Sequence, residues 1–221
     1  MPVRLGDDAY RRMRRAILEE RVAIWVGERK VKGPALNGAT FRTGHAQKFR
    51  TGHAEAGNRI RKRAMDITWV TDRIAVGGGI WNAENMAAVA EAGITHIIDM
   101  QIEFDDTPLA KEQGIEVLWN PTDDDFEPKP AELFQRGVDF AEKALEEEGA
   151  KLYVHCAAGV HRAPTMTLAL LGSMGWDLED AMRLIQGRRP VADFADVYVR
   201  SVERFLDGKA GFAAETRRHG E

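Results

Sequence analysis

Residues 151–171 constrain this chain more than any other part of the sequence. They open with a short apolar run rich in strand formers and close with an apolar run that favours a helix. The loop between the two runs contains Ala157, Ala158 and Gly159, carries no acidic side chain, and leads to Arg162 at the start of the helix. Free backbone N–H groups and the positive end of a helix attract anions, so this stretch predicts a phosphate-binding loop.

Cys156 occupies the first position of this loop, directly after His155. A loop that favours an anion also favours the thiolate, and Arg162 offers a planar fork for two phosphate oxygens. A thiolate facing a bound phosphate is a nucleophile facing an electrophile, which predicts covalent phosphoryl transfer. The alternative is a buried core cysteine with a surface arginine beyond it, but that arrangement would not explain an acid-free loop of small residues.

The order His155, Cys156 and, six residues later, Arg162 resembles the signature of the cysteine-dependent protein tyrosine phosphatase superfamily. The Arg-Ala-Pro-Thr sequence and the lack of long insertions are most similar to the dual-specificity branch. The resemblance implies an α/β domain with a small, twisted, mostly parallel central sheet flanked by helices. It also implies a phosphocysteine intermediate, a loop-orienting role for His155, and no metal or other cofactor. The phosphate-binding residues would be Ala157, Ala158, Gly159, Val160, His161 and Arg162.

A phosphate ester has a poor leaving group, so the reaction needs an acid. Asp123, Asp124 and Asp125 follow a predicted strand. The resembled family places its acid at a fairly fixed distance before a long helix, which points to Asp124. A slip of one residue would select either neighbour, and a solvated turn is the structural alternative. Asp105 and Asp106, on an earlier loop, are a weaker choice.

Ala163 departs from the family, which usually has Ser or Thr there to steady the thiolate and to assist release of the intermediate. We expect Thr165 to point elsewhere, and therefore an active enzyme with slow phosphoenzyme turnover. A phosphate-binding pseudophosphatase is the alternative. The loop has no lysine, which disfavours inositol phospholipids, so we expect phosphotyrosine, phosphoserine or phosphothreonine in proteins. An RNA 5′-triphosphate or a small phosphomonoester stays open.

Strand and helix patterns alternate from Met65 onward, which predicts one α/β catalytic domain over residues 65–208 and a tail over 209–221. The predicted strands cover 67–70, 73–76, 94–100, 115–119 and 151–154. The predicted helices cover 82–92, 130–148, a segment after Arg162, 178–186 and 194–206.

The first 64 residues differ in composition from the rest and form a basic extension. Residues 1–66 carry 16 Lys+Arg and 7 Asp+Glu, whereas residues 67–221 carry 15 and 28. Residues 9–21 predict a helix, and 22–64 are rich in Gly and Arg. The extension could be a solvated, disordered arm, or it could bind an acidic partner, a nucleic acid or an anionic membrane surface. Met65 is an alternative natural start.

Cys156 is the only cysteine, so no internal disulfide can form. A lone thiol that must stay reduced fits the cytosol, and we expect a cytoplasmic protein. The sequence shows no secretory signal, no apolar run long enough to span a bilayer and no Cys/His cluster with zinc spacing.

Overall fold

The computed structural model describes residues 65–218, with side chains for residues 65–209. The predictions made for the basic extension, including its helix at 9–21 and its partners, lie outside the described residues.

Five strands form one mixed sheet. They are β1 Ile67–Trp69, β2 Ile74–Gly77, β3 His96–Asp99, β4 Glu116–Trp119 and β5 Leu152–His155. The spatial order is β1-β2-β5-β3-β4, in which β1 pairs antiparallel with β2 and every other pair is parallel. β5 lies in the middle, so the loop after it opens at the central carboxyl edge, where open α/β sheets bind their ligands.

Helices cover both faces of the sheet, as the alternating pattern predicted. They are α1 Ala83–Glu91, α2 Thr107–Lys111, α3 Ala131–Glu146, α4 Arg162–Ser173, α5 Leu178–Arg188 and α6 Asp196–Arg218. Side chains alternate along a strand, and along β2 Ile74 and Val76 join the core beneath α3 to α6. Ala75 joins the opposite core beneath α1 and α2.

α4 is the central helix of the larger core. Its residues from Arg162 to Leu171 are all buried, and it packs against α3, α5 and α6. A helix covered on all sides must be apolar on all sides, which explains the Leu- and Ala-rich run after Pro164. Its first turn, which follows the predicted phosphate-binding loop, is therefore fixed by packing.

Two elements differ from the sequence-based expectation. α6 continues to Arg218, well past the predicted end at residue 206. The short α2 was not predicted, because a five-residue helix starting next to Pro108 is too brief for a periodic pattern. In the part of the chain from residue 65 to residue 218, no helix has the length and apolar character needed to cross a membrane.

Candidate active site

The loop between β5 and α4, residues 156–161, is held from outside by its carbonyl groups. Four successive carbonyl oxygens accept hydrogen bonds from other segments. The pairs are Ala157 O with Gly79 N–H at 3.1 Å, Ala158 O with Arg189 Nη2 at 3.0 Å, Gly159 O with Arg189 Nε at 2.7 Å, and Val160 O with Asp193 N–H at 2.9 Å. In a planar trans peptide the N–H points opposite to the C=O, so the following N–H groups face the inner side of the loop.

Arg189 was not singled out by sequence, although it holds two of these carbonyls. It is buried, and its guanidinium contacts both oxygens of Asp66 at 2.7 Å. The hydrogen bonds that Arg189 donates to the Asp66 carboxylate raise the pKa of Arg189 against the opposing effect of burial. Nothing in the local sequence separates Arg189 from the exposed Arg188 beside it, because the distinguishing partner lies 123 residues away.

Cys156 lies at the start of the loop with only 2% of its surface exposed. Its Sγ accepts a hydrogen bond from the Gly159 N–H at 3.3 Å. Gly159 itself has φ +64°, and a Cβ there would come 2.5 Å from Arg189 Nη2 and from the Gly77 backbone. Glycine is therefore required both by conformation and by space.

Arg162 is 5% exposed and forms a two-point ion pair with Glu103, at 2.9 Å through Nη1 and 2.8 Å through Nη2. Nη1 also donates to the Thr122 carbonyl at 3.1 Å. The Arg162 hydrogen bond lowers the pKa of Glu103, so both partners are charged at neutral pH. Arg162 Nε is buried and has no hydrogen-bond partner among the described residues. A buried charged donor without a partner calls for a ligand or water oxygen.

His155 lies directly before the thiol and is fully buried. Its Nε2 faces Asp106 Oδ2 at 3.1 Å and Asp99 Oδ1 at 3.7 Å, without hydrogen-bond geometry to either. Burial raises the pKa of Asp99 to about 6, and the nearby His155 partly opposes that shift. The His155 ring stacks on Tyr153 at 5.2 Å. The imidazole is therefore held between an aromatic ring and two carboxyl groups.

Asp99, Asp106 and His155 offer ligand atoms that lie within 4.8 Å of one another, a set that is able to hold a divalent cation. However, Asp99 already accepts backbone N–H groups from Gln101 at 2.9 Å and from Asp106 at 3.2 Å. The set is also completely buried. We therefore assign it to fixing the His155 ring rather than to binding a metal.

Asp124 is the aspartate of its loop that contacts the phosphate-binding loop. Its Oδ2 lies 3.0 Å from His161 Nδ1, and its Oδ1 accepts a hydrogen bond from the Tyr198 hydroxyl at 3.1 Å. Burial raises the pKa of Tyr198 to about 12, so this hydroxyl stays protonated at neutral pH. Tyr198 also accepts the Phe126 N–H at 2.9 Å, and Phe126 has φ +57°, a strained conformation that these contacts maintain.

The other aspartates considered from sequence have different surroundings. Asp125 pairs with Lys129, whose hydrogen bond lowers the pKa of Asp125 and keeps it ionised. Asp105 accepts the Thr107 N–H at 2.9 Å at the start of α2. Asp106 is buried beside His155. Asp123 is exposed to solvent. These surroundings favour Asp124 over each alternative as a group able to reach a ligand in the loop.

Thr165 points away from the sulfur, as expected. Its hydroxyl donates to the His161 carbonyl at 2.8 Å within the first turn of α4. Ala163 is fully buried and offers no hydroxyl. Neither residue therefore supplies the hydroxyl that the resembled family places after its signature arginine.

The structure is an α/β domain in which Cys156 begins the loop that follows the central strand β5. The family model for the dual specificity phosphatase catalytic domain matches residues 79–205. The chain belongs to that family.

Individual relatives agree with this assignment. The chain is 30% identical over 115 residues to dual specificity protein phosphatase 5 of Rattus norvegicus, covering 52% of this chain and 29% of the relative. It is 33% identical over 99 residues to human protein tyrosine phosphatase type IVA 3, covering 44% of this chain and 56% of the relative. The chain thus matches less than two thirds of these curated relatives.

Solved structures show the same fold. The crystal structure of PTPMT1 aligns with a TM-score of 0.59 at 23% identity, covering 67% of this chain and 99% of that one. Human DUSP28 aligns with a TM-score of 0.55 at 20% identity, covering 66% and 95%.

Proposed function

We propose that this protein is a cysteine-dependent phosphatase that hydrolyses phosphomonoesters on tyrosine, serine or threonine side chains of proteins. The observation that supports the proposal is the arrangement of hydrogen-bond donors around the loop that follows β5. Outward-bound carbonyls turn a run of N–H groups inward, beside the Cys156 sulfur. The buried Arg162 adds an Nε–H that no described residue satisfies. Phosphate oxygens are the natural acceptors for such a set of donors.

In the first step the Cys156 thiolate attacks phosphorus in line with the departing oxygen. The sulfur–phosphorus bond forms while the phosphorus–oxygen bond to the substrate breaks, and Asp124 gives its proton to the leaving oxygen. The inward N–H groups and Arg162 hold the three equatorial oxygens, whose charge is the main feature of this transition state. Glu103 keeps the Arg162 fork aligned through its two-point contact.

In the second step water hydrolyses the phosphocysteine. The Asp124 carboxylate accepts a proton from this water, the phosphorus–sulfur bond breaks, and the thiolate is restored. His155 acts from behind the loop as a positioning residue, since its ring is packed on Tyr153 and faces Asp106 rather than the ligand side.

Two observations support phosphorylated proteins as the substrate class. Relatives over this domain carry the names dual specificity protein phosphatase and protein tyrosine phosphatase. The exposed side chains of Trp81 and Phe104, with ring centroids 6.2 Å apart, adjoin the site, because Gly79 next to the Trp81 ring binds the loop and Glu103 next to Phe104 binds Arg162. An apolar rim suits an aromatic or apolar peptide neighbour.

An oxidisable thiol that must stay reduced supports activity in the reducing cytoplasm.

The decisive experiment is hydrolysis of para-nitrophenyl phosphate between about pH 5 and about pH 8 with a metal chelator present. The parent should turn over in chelator. Cys156→Ser should abolish turnover while still binding vanadate, and Arg162→Lys should weaken vanadate binding by at least about tenfold because the planar fork is lost. Asp124→Asn should slow the reaction by about a hundredfold or more and remove the basic limb of the pH profile.

Each result separates the candidates. Vanadate binding without turnover in the parent would identify a phosphate-binding pseudophosphatase. Turnover that survives Cys156→Ser would refute the cysteine mechanism. Phosphotyrosine and phosphothreonine peptides, compared with an RNA 5′-triphosphate in the same assay, then test the substrate class; preferred cleavage of the RNA would overturn the protein-substrate assignment.

A further inference from the structure

His161 is unusual because both of its ring nitrogens face carboxylate oxygens. Nδ1 lies 3.0 Å from Asp124 Oδ2, and Nε2 lies 3.3 Å from Asp193 Oδ2. The ring is 19% exposed and meets the edge of Phe126 at 5.1 Å. The residue therefore joins three segments: the phosphate-binding loop, the loop of Asp124, and the connection between α5 and α6.

The hydrogen bonds around the ring fix where its protons can lie. Asp193 can only accept when ionised, so Nε2 carries a hydrogen. Asp124 Oδ1 is already used by the Tyr198 hydroxyl, which leaves Oδ2 as the oxygen that exchanges a proton. One proton must lie between Oδ2 and Nδ1 for the 3.0 Å contact to be a hydrogen bond. That proton can belong to the carboxylic acid or to the imidazolium.

We propose that His161 stores the proton that Asp124 delivers to the leaving oxygen, an inference that rests on the phosphatase function proposed above. In the resting site the imidazolium donates from Nδ1 to the Asp124 carboxylate and from Nε2 to Asp193. The Nδ1 proton passes to Asp124 Oδ2 and then to the departing oxygen, leaving a neutral imidazole. When water attacks the phosphocysteine, Asp124 accepts the water proton and returns it to Nδ1. One proton enters and one leaves in each cycle.

Such an arrangement would supply Asp124 with a proton at neutral pH. An isolated aspartic acid holds almost no proton at neutral pH, whereas an imidazole protonates near neutrality. The charged groups that face His161 from the elements packed around it are Asp124 and Asp193, one opposite each ring nitrogen. Arg162, the next residue, directs its guanidinium to Glu103 instead. His161 is thus a positioning and proton-holding residue that acts through Asp124.

His161→Asn and His161→Gln separate contact from proton storage. The Asn amide nitrogen takes roughly the place of Nδ1 and keeps a hydrogen bond to Asp124, but it cannot carry the exchangeable proton. The Gln amide nitrogen takes roughly the place of Nε2 and keeps only the contact to Asp193. Asp193→Asn removes the carboxylate charge opposite Nε2 and leaves the ring in place. Glu127→Gln, an exposed change on the same loop as Asp124, serves as the control.

The measurement is the single-turnover rate of phosphocysteine formation as a function of pH, with para-nitrophenyl phosphate and with phenyl phosphate, whose leaving group needs more acid. We expect the basic limb of the profile to move down by about one pH unit or more in His161→Asn, and less in Asp193→Asn. The loss should be at least about fivefold greater for phenyl phosphate than for para-nitrophenyl phosphate. Adding His161→Asn to Asp124→Asn should cause no further loss.

The proposal is overturned if His161→Asn gives a profile that superimposes on that of the parent or of Glu127→Gln, or if its loss is the same for both leaving groups. It is also overturned if the rate losses caused by His161→Asn and by Asp124→Asn multiply in the double variant. Vanadate affinity that stays within about threefold of the parent shows that the loop is intact in each variant. If the parent itself shows no Cys156-dependent turnover, the proposed phosphatase function fails, and that outcome is distinct from a failure of the His161 role.

Discussion

At Gly159 the backbone turns with φ +64°, and the space beyond its Cα is already taken by Arg189 and by the Gly77 backbone. The same residue donates its N–H to the Cys156 sulfur and gives its carbonyl to Arg189. A single position thus combines a left-handed conformation, close packing and two polar contacts. A side chain cannot be added at this position without moving the Gly159 N–H that donates to the Cys156 sulfur.

Gly159→Ala should lower the melting temperature and reduce kcat/KM by at least about tenfold, because the strain and clash must displace the loop. Gly149→Ala is the matched control. Gly149 has φ +77°, and no described atom would lie within 4 Å of a Cβ added there, so only strain of about 1 kcal/mol should appear, with kcat/KM unchanged. Thermal melts and steady-state kinetics of both variants provide the comparison; equal kinetic losses would contradict the argument.

Ala163 is the other informative single residue, and its effect on turnover stays a prediction. It is fully buried at the start of α4, and the nearby Thr165 hydroxyl is used by the His161 carbonyl. Ala163→Ser should accelerate phosphocysteine hydrolysis several-fold by placing a hydroxyl near the sulfur. Rapid-quench measurement should show a smaller burst of trapped phosphoenzyme and a faster steady state. Thr165→Val is the control and should leave the burst and the steady-state rate unchanged. An unaltered burst in Ala163→Ser would contradict the prediction that the missing hydroxyl slows turnover.

At the scale of elements, the loop depends on a residue that ends a different helix. Arg189 follows α5 directly and spans from the loop carbonyls to Asp66 ahead of β1. If the guanidinium were removed, the carbonyls of Ala158 and Gly159 would lose this donor. The residue directly after α5 therefore supports the loop that contains Cys156.

Arg189→Ala should destabilise the domain by about 3 kcal/mol, because the Ala158 and Gly159 carbonyl groups both lose their donor. It should also reduce vanadate affinity, since the loop amides lose their fixed direction. Arg188→Ala, an exposed neighbour on the same helix, is the control and should change neither. Chemical denaturation and vanadate titration test both; a stable Arg189→Ala variant with parental affinity would show that the loop holds its shape unaided.

The sequence was sufficient for the elements that have a local pattern. β5, the loop after it and α4 are contiguous in sequence. A short apolar run, a run of small residues and a second apolar run predicted the three directly. The ends of elements were harder to predict. Two glycines follow the predicted end of α6 at residue 206, but glycine only weakens a helix, and without a Pro to stop it α6 extends to Arg218. The residues that support the site could not be predicted from sequence. Their contacts are with partners far along the chain, and their neighbours in sequence carry no sign of those contacts. These residues are Asp66, Glu103, Asp193 and Tyr198.

For the whole molecule, the buried carboxyl group of Asp99 connects the active-site region to stability. Burial raises its pKa from 3.8 to about 6, so the folded state holds this proton more tightly than the unfolded state does. Its contribution to stability is therefore greatest below about pH 4 and is lost as the pH rises through about 6, by about 2–3 kcal/mol in total.

Asp99→Asn should remove this dependence. The amide oxygen can still accept the Gln101 N–H, and no charge forms at higher pH. The unfolding free energy of the variant, relative to the parent, should rise between about pH 4 and about pH 7. Asp139→Asn, an exposed change on α3, should follow the parent at every pH. Denaturant titrations across this range test the prediction, and a constant difference between Asp99→Asn and the parent would disprove it.

The bridge from Asp66 to Arg189 also orders events during synthesis. Asp66 emerges at the beginning of the described chain, whereas Arg189 follows 123 residues later, after the cysteine and its loop have already left the ribosome. Until Arg189 emerges, the carbonyls of Ala158 and Gly159 lack their donor. A nascent or truncated chain ending before Arg189 therefore contains Cys156 and Arg162 but lacks the side chain that holds the loop between them. The loop reaches its final set of contacts only when the domain is nearly complete.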